Sequence, residues 1–169
     1  MLDLTRRSFL VLGAATALSA CATTMPLLPA SSSAAPESLS REQIIAAINA
    51  VRAANGAPPW SYSPQLEAAA RSQAGLCAAR NVLSHNLGVT LRERVTKAGY
   101  AGAVGENLAG GHKTLDSAIQ GWMNSPGHRS TLLSHKFTEF GLATARTAKG
   151  KTYWAMIAGG SFDAWRVYR

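Results

Sequence analysis

The stretch from Thr152 to Ala158 does most to restrict the fold. Tyr153, Trp154, Met156 and Ile157 leave neither side of an alternating segment polar, which predicts a central strand covered on both faces. Phe140 to Arg146 reads as a second strand, joined to the first through a turn at Ala148-Lys149-Gly150. The chain before this hairpin reads as mostly helical. Helices first and a hairpin last predict an α+β fold with the sheet between helical layers, and argue against a doubly wound parallel sheet.

The helices announce themselves by their caps. Ser40 and Gln43 form a capping box, followed by Ile44, Ala47, Ile48 and Val51 on one face. Asn55-Gly56 ends that helix and Pro58-Pro59 prevents its return. Ser63-Pro64 opens a second helix, rich in alanine, that runs to about Val82. Thr90 and Glu93 open a short third one that stops at Gly99. A glycine-rich stretch, Gly102 to Gly111, follows and encloses Glu106. Thr114 caps the next helix, with Leu115, Ala118, Ile119, Trp122 and Met123 inward, and Ser125-Pro126 ends it and starts one more helical turn, to about Leu133, with Ser125 as its cap.

The chain has 169 residues, a formal charge of +8, 47% hydrophobic and 15% charged residues. That suits one domain with its own core and excludes wholesale disorder. Residues 1–20 read as an export leader. Arg6-Arg7 precede an apolar run from Phe9 to Ala20 that falls short of the roughly 18 residues a bilayer span needs. The pair resembles a twin-arginine signal, and Leu18-Ser19-Ala20-Cys21 resembles a lipobox, implying cleavage before Cys21 and its acylation. Residues 21–39, rich in Ser, Ala and Pro, read as a tether, and the domain as 40–169. The leader predicts a lipid-anchored protein of the bacterial envelope, placed at the outer membrane and periplasm where the organism has them. With Cys21 acylated, Cys77 has no partner for a disulfide within the chain, and its alanine-rich surroundings predict a small buried residue.

Three polar residues stand where elements end: His85 in Ser84-His85-Asn86, Glu106 in Gly105-Glu106-Asn107-Leu108, and His128 in Pro126-Gly127-His128-Arg129. His128 falls in a first helical turn, where the dipole disfavours imidazolium and leaves a neutral ring. Two imidazoles and a carboxylate could hold a divalent ion with an open position. Alternatively, Glu106 could fix one imidazole in its tautomer with no metal at all. Spacing alone does not decide between them.

These residues occur together with two longer blocks: Trp122-Met123-Asn124-Ser125-Pro126-Gly127-His128-Arg129 and Phe140-Gly141-Leu142-Ala143. In this order, from about Ser40 to Phe162, they resemble the CAP superfamily of cysteine-rich secretory, antigen 5 and pathogenesis-related proteins, in its bacterial SCP-domain branch. The resemblance implies a three-layer α-β-α sandwich with a central, mainly antiparallel sheet and a wide cleft. It also implies that His85, Glu106 and His128 face that cleft, and that the histidines can hold zinc or another divalent ion. The family's second acidic position has no match. Asn124 and Ser125 occupy that region, and Glu139 is the carboxylate that could supply the charge from another direction.

Other features read plainly. Asn107, like Asn124 and Ser125, is a candidate for the cleft lining, and its plainer reading is that it ties down its loop. His112 and His135 read as solvated, and Trp60, Trp122, Trp154 and Trp165 as core or sheet-covering residues. Arg92, Arg94 and Lys97 form a modest basic cluster, and Lys149 and Lys151 flank a turn. With no concentrated basic stripe, nucleic acid is not an expected partner, while anionic lipid or wall polymers are a weak one. The incomplete acidic set and the lack of a recognisable nucleophile motif favour a binding module for a lipid, peptide or wall fragment. A structural or adhesive lipoprotein with a vestigial cleft ranks second. A metal-assisted hydrolase of envelope peptides ranks third, with His85 and His128 on the ion and Glu106 as base.

Overall fold

The structure is a computed structural model and describes residues 36–166. The leader, Cys21 and most of the tether lie outside the described residues. Five helices and four strands follow in order: α1 (Arg41–Ala54), β1 (Ser61–Tyr62), α2 (Pro64–Arg80), α3 (Leu91–Lys97), β2 (Ala103–Gly110), α4 (Leu115–Met123), α5 (Pro126–Leu133), β3 (Glu139–Arg146) and β4 (Thr152–Gly160). The capping boxes at Ser40 and Thr90 form with both reciprocal bonds, and Thr114 makes a third with Ser117. Ser125 differs. It occupies the cap position of α5, but its side chain makes no capping bond.

The sheet order is β1-β3-β4-β2, with β1 parallel to β3 and the other pairs antiparallel. All nine residues of β4 are buried. Its Trp154, Met156 and Ala158 pack with Ile44 and Ile48 of α1, Ile119 and Trp122 of α4, and Leu132 of α5. Its Tyr153, Ala155 and Ile157 pack with Leu66, Ala70 and Cys77 of α2 and Val95 of α3. The strand with no polar face is thus the centre of an α-β-α sandwich. Close approach of α2 to the sheet uses small residues on both sides. A Cβ on Gly141 of β3 would run into the Glu67 main-chain nitrogen.

The glycine-rich stretch around Glu106 is a strand and not a loop. β2 pairs with β4 from Ala103↔Gly160 to Gly110↔Tyr153. Its glycines serve packing. A Cβ on Gly102 would collide with the Gly160 carbonyl, and one on Gly105 would meet Phe137 and Thr131 at 3.0 Å. Only at Gly111, just past the strand, does a positive φ (+85°) need glycine.

Trp60, Trp122 and Trp154 are buried as expected, each with its indole N–H donating to a carbonyl: of Phe137, Leu108 and His112 respectively. Trp165 is not. It follows the last strand, lies against Phe137 at the rim, and remains 47% exposed.

Candidate functional site

β2 is the strand at one edge of the sheet, and neighbouring residues on it face opposite layers. Glu106 points to the α2/α3 side and Asn107 to the α4/α5 side. The site is built around this edge.

His85 stands on the loop between α2 and α3. α2 ends at Asn81 in left-handed conformation (φ 51°), and Asn81 accepts a hydrogen bond from the Tyr153 hydroxyl at 3.0 Å. Gln73 of α2 donates to the Ser84 carbonyl at 2.5 Å. Arg94 of α3 donates to the Val89 carbonyl at 2.6 Å and the His85 carbonyl at 3.4 Å. Three elements therefore fix a loop that the sequence alone would leave free.

Glu106 is 2% exposed at its side chain and both its oxygens are engaged. Oε1 lies 2.8 Å from His85 Nδ1, and Oε2 accepts from Arg94 Nη2 at 2.6 Å. The His85 imidazole is 60% exposed, so its Nε2 is the atom left for a visitor. His128, the third residue of α5, is half-buried. Burial, and then the nearby His85, lower its pKa from the ordinary 6.5 and favour a neutral ring. The direction is the one expected from the helix terminus, but its causes are desolvation and a second imidazole. Asn107, fully buried, donates to the His128 carbonyl at 2.9 Å and so ties β2 to α5 and not to a loop of its own.

His85 and Glu106 are thus in direct contact, and His85 is near enough to His128 to contribute to the lowering of its pKa. Glu139 does not join them. It opens β3, two strands away from β2 in the sheet, and accepts from the Tyr100 hydroxyl at 3.0 Å. Burial and that carboxylate raise the Tyr100 pKa well above the ordinary phenol range. Asn124 caps the end of α4 in solvent, and neither it nor Ser125 supplies a carboxylate. His112 is half-buried, with Gly121 leaving room for its ring, while His135 is exposed. Cys77 is buried in the α2 layer, and burial pushes its thiol pKa up.

Arg94 is the residue that sequence reading missed. It looked like part of a surface basic cluster, yet its side chain is 1% exposed. The signal was its place beside Val95 on the inward stripe of a capped helix, where a cation requires a buried partner.

As donors for a divalent ion, the site offers His85 Nε2 and the neutral His128, with Glu106 behind His85 in the carboxylate–histidine arrangement that orients metal ligands. Among the described residues no group of three or more His, Cys, Asp or Glu converges to hold one.

The fold recurs in known proteins. Residues 45–157 match the model of the cysteine-rich secretory protein family, CAP. The uncharacterized protein YkwD of Bacillus subtilis is 28% identical over 123 residues, which is 64% of this chain and 44% of YkwD. An extracellular protein with an SCP domain from Bacillus anthracis superposes with a TM-score of 0.62 at 27% identity, over 71% of this chain and 40% of that one. The chain thus spans less than half the length of these two relatives. An outer surface protein of Borrelia burgdorferi superposes with a TM-score of 0.64 at 22% identity, over 71% of this chain and 91% of that one, a likeness of fold. With the family model matching residues 45–157, a span that includes His85, Glu106 and His128, the chain belongs to the cysteine-rich secretory protein (CAP) family, in its bacterial SCP-domain branch.

Proposed function

We propose that this chain is an exported, lipid-anchored binding module of the bacterial envelope, which holds a lipid, peptide or wall fragment between His85 and His128 in the cleft at the β2 edge. One observation carries the binding reading over the hydrolytic one: both oxygens of Glu106 are committed, to His85 and to buried Arg94. A general base must lie within hydrogen-bond reach of the water it activates, and a carboxylate only 2% exposed behind His85 and Arg94 orients an imidazole instead. The ligand then meets His85 Nε2 and a neutral His128, directly or through a divalent ion. An ion bound there would supply Lewis acidity toward a ligand oxygen.

The location rests on the twin arginines, on Cys21, and on relatives described as an outer surface protein and an extracellular protein. The test is retention. Purified protein is incubated with solubilised wall fragments and with an envelope lipid extract, and retained molecules are identified by mass spectrometry. Retention that disappears in the His85→Ala/His128→Ala double variant supports binding. Turnover of wall fragments that a chelator abolishes replaces this reading with the hydrolase. Retention unchanged in the double variant removes the cleft from the function.

A further inference from the structure

The sheet has a second edge, and it carries a groove of its own. β1 pairs with β3 only at Ser61↔Glu139 and Tyr62↔Phe140. Beyond Phe140 a groove of about 470 Å³ lies along β3, between the first turns of α1 and α2. Leu142, Ala143 and Thr144 all line it. Successive side chains of a strand alternate between faces, so three in a row against one groove place it along the backbone edge. The Phe140 carbonyl accepts from the Ser63 N–H at 2.8 Å, and the Leu142 carbonyl accepts from the Tyr62 hydroxyl at 3.2 Å. Even-numbered residues of β3 therefore aim their main-chain groups outward. By the two-residue repeat of the ladder, the N–H and C=O of Thr144 aim into the groove.

The rim is charged. Arg41 and Arg71 both hydrogen-bond Glu67, with side chains 53% and 65% exposed against 18% for the carboxylate. One carboxylate shared by two guanidiniums, each a fork of five N–H donors, leaves a net positive charge and donors facing solvent. Arg41 also lies over the Tyr62 ring, 5.0 Å from its centroid. Leu39 and Ile44 add an apolar floor.

We propose that this groove is a strand-addition site for an extended peptide bearing an acidic side chain. The added strand pairs with Thr144, its carboxylate meets the solvent-facing guanidinium donors of Arg71 that Glu67 does not use, and a neighbouring apolar side chain rests on Leu39 and Ile44. Main-chain pairing supplies affinity and the pockets for alternate side chains supply selectivity, as in other edge-strand recognition. The Tyr62 hydroxyl already holds the Leu142 carbonyl, which limits how far the added strand can run. This site and the His85–Glu106 pair lie at opposite edges of the sheet, with β4 between β3 and β2, so occupancy of one does not require the other.

The test uses the full chain and a fluorescent heptapeptide of alternating threonine and valine with one central glutamate, beside the same peptide with glutamine. The expected result is a saturable rise in anisotropy with the glutamate peptide. Binding is at least tenfold weaker with the glutamine peptide and with Arg71→Gln. Amide shift changes centre on residues 142–144. Thr144→Pro, tolerated on an outward-facing edge position, keeps the melting transition and loses binding. No binding by the folded chain, as when its own N-terminal segment fills the groove, overturns the proposal. So do equal affinity for the two peptides and shift changes centred on His85.

Discussion

Glu106 and Arg94 meet at 2.6 Å with side chains 2% and 1% exposed, and the same carboxylate touches His85 at 2.8 Å. The buried guanidinium thus links the sheet edge, helix α3 and the loop that carries the exposed imidazole. Breaking a buried pair by removing one partner strands the other charge, at a cost of roughly 3–5 kcal/mol. Arg94→Met is expected to lose about that much in urea unfolding. Glu106→Gln/Arg94→Met is expected to recover part of it, because neither charge is then left alone. A double variant no more stable than Arg94→Met would mean that the pair is not coupled as the geometry indicates.

His128 links stability to pH in a definite direction. Its folded pKa lies below the ordinary 6.5, so the unfolded chain takes up the proton first as pH falls. The stability it contributes is present above pH 6.5 and is lost as pH drops through the folded value. His128→Asn removes this dependence. Unfolding free energies measured at about pH 7.5 and about pH 5 are therefore expected to fall more in wild type than in the variant, and equal falls would contradict it.

Two glycines separate close packing from mere flexibility. A Cβ on Gly141 would collide with the Glu67 nitrogen and the Leu66 carbonyl carbon, both main-chain atoms that cannot swing aside. Gly141→Ala is expected to destabilise by about 3 kcal/mol, at the upper end of overpacking costs. Gly75, inside α2, has nothing within 4 Å of its would-be Cβ. Gly75→Ala is expected to stabilise by about 1 kcal/mol through helix propensity. Thermal melts of both variants check the opposite signs.

The anchor is testable at one atom. If Cys21 is acylated, Cys21→Ser leaves the domain intact and moves it from the membrane fraction to the soluble exported fraction. Fractionation followed by immunoblotting reads this directly, and a variant that stays with the membrane would place the attachment elsewhere.

The parts of the fold governed by local chemistry were readable in the chain. Ser40-Gln43 and Thr90-Glu93 needed only reciprocal caps, and β4 needed only a run with no polar face. β2 was not readable, because Gly102 and Gly105 serve neighbours distant in sequence, Gly160 and Phe137, that a local pattern does not contain. The same holds for the site. His85, Glu106 and His128 stood out as polar residues beside element ends. Arg94 did not, because an arginine on a short helix looks solvated until its partner, twelve residues on, turns out to be buried with it. Glu139 looked available for the opposite reason: the Tyr100 hydroxyl that engages it comes from a turn thirty-nine residues earlier.

The His85–Glu106 contact also fixes which nitrogen is exposed. A carboxylate only accepts, so the neutral imidazole carries its proton on Nδ1 and presents a lone pair at Nε2, the reverse of what an unconstrained ring prefers to offer. Histidine ring correlation spectra recorded by nitrogen NMR at mildly alkaline pH are expected to show His85 mainly as the Nδ1–H form. If the cleft takes zinc, that orientation matters for affinity. Outer carboxylates of this kind contribute about 10–100-fold. Zinc titration by calorimetry is therefore expected to weaken by that factor in Glu106→Gln and to vanish in His85→Ala. An Nε2–H tautomer in wild type would show that Glu106 does not hold the ring this way. Zinc binding unchanged in His85→Ala would place the ion elsewhere in the chain.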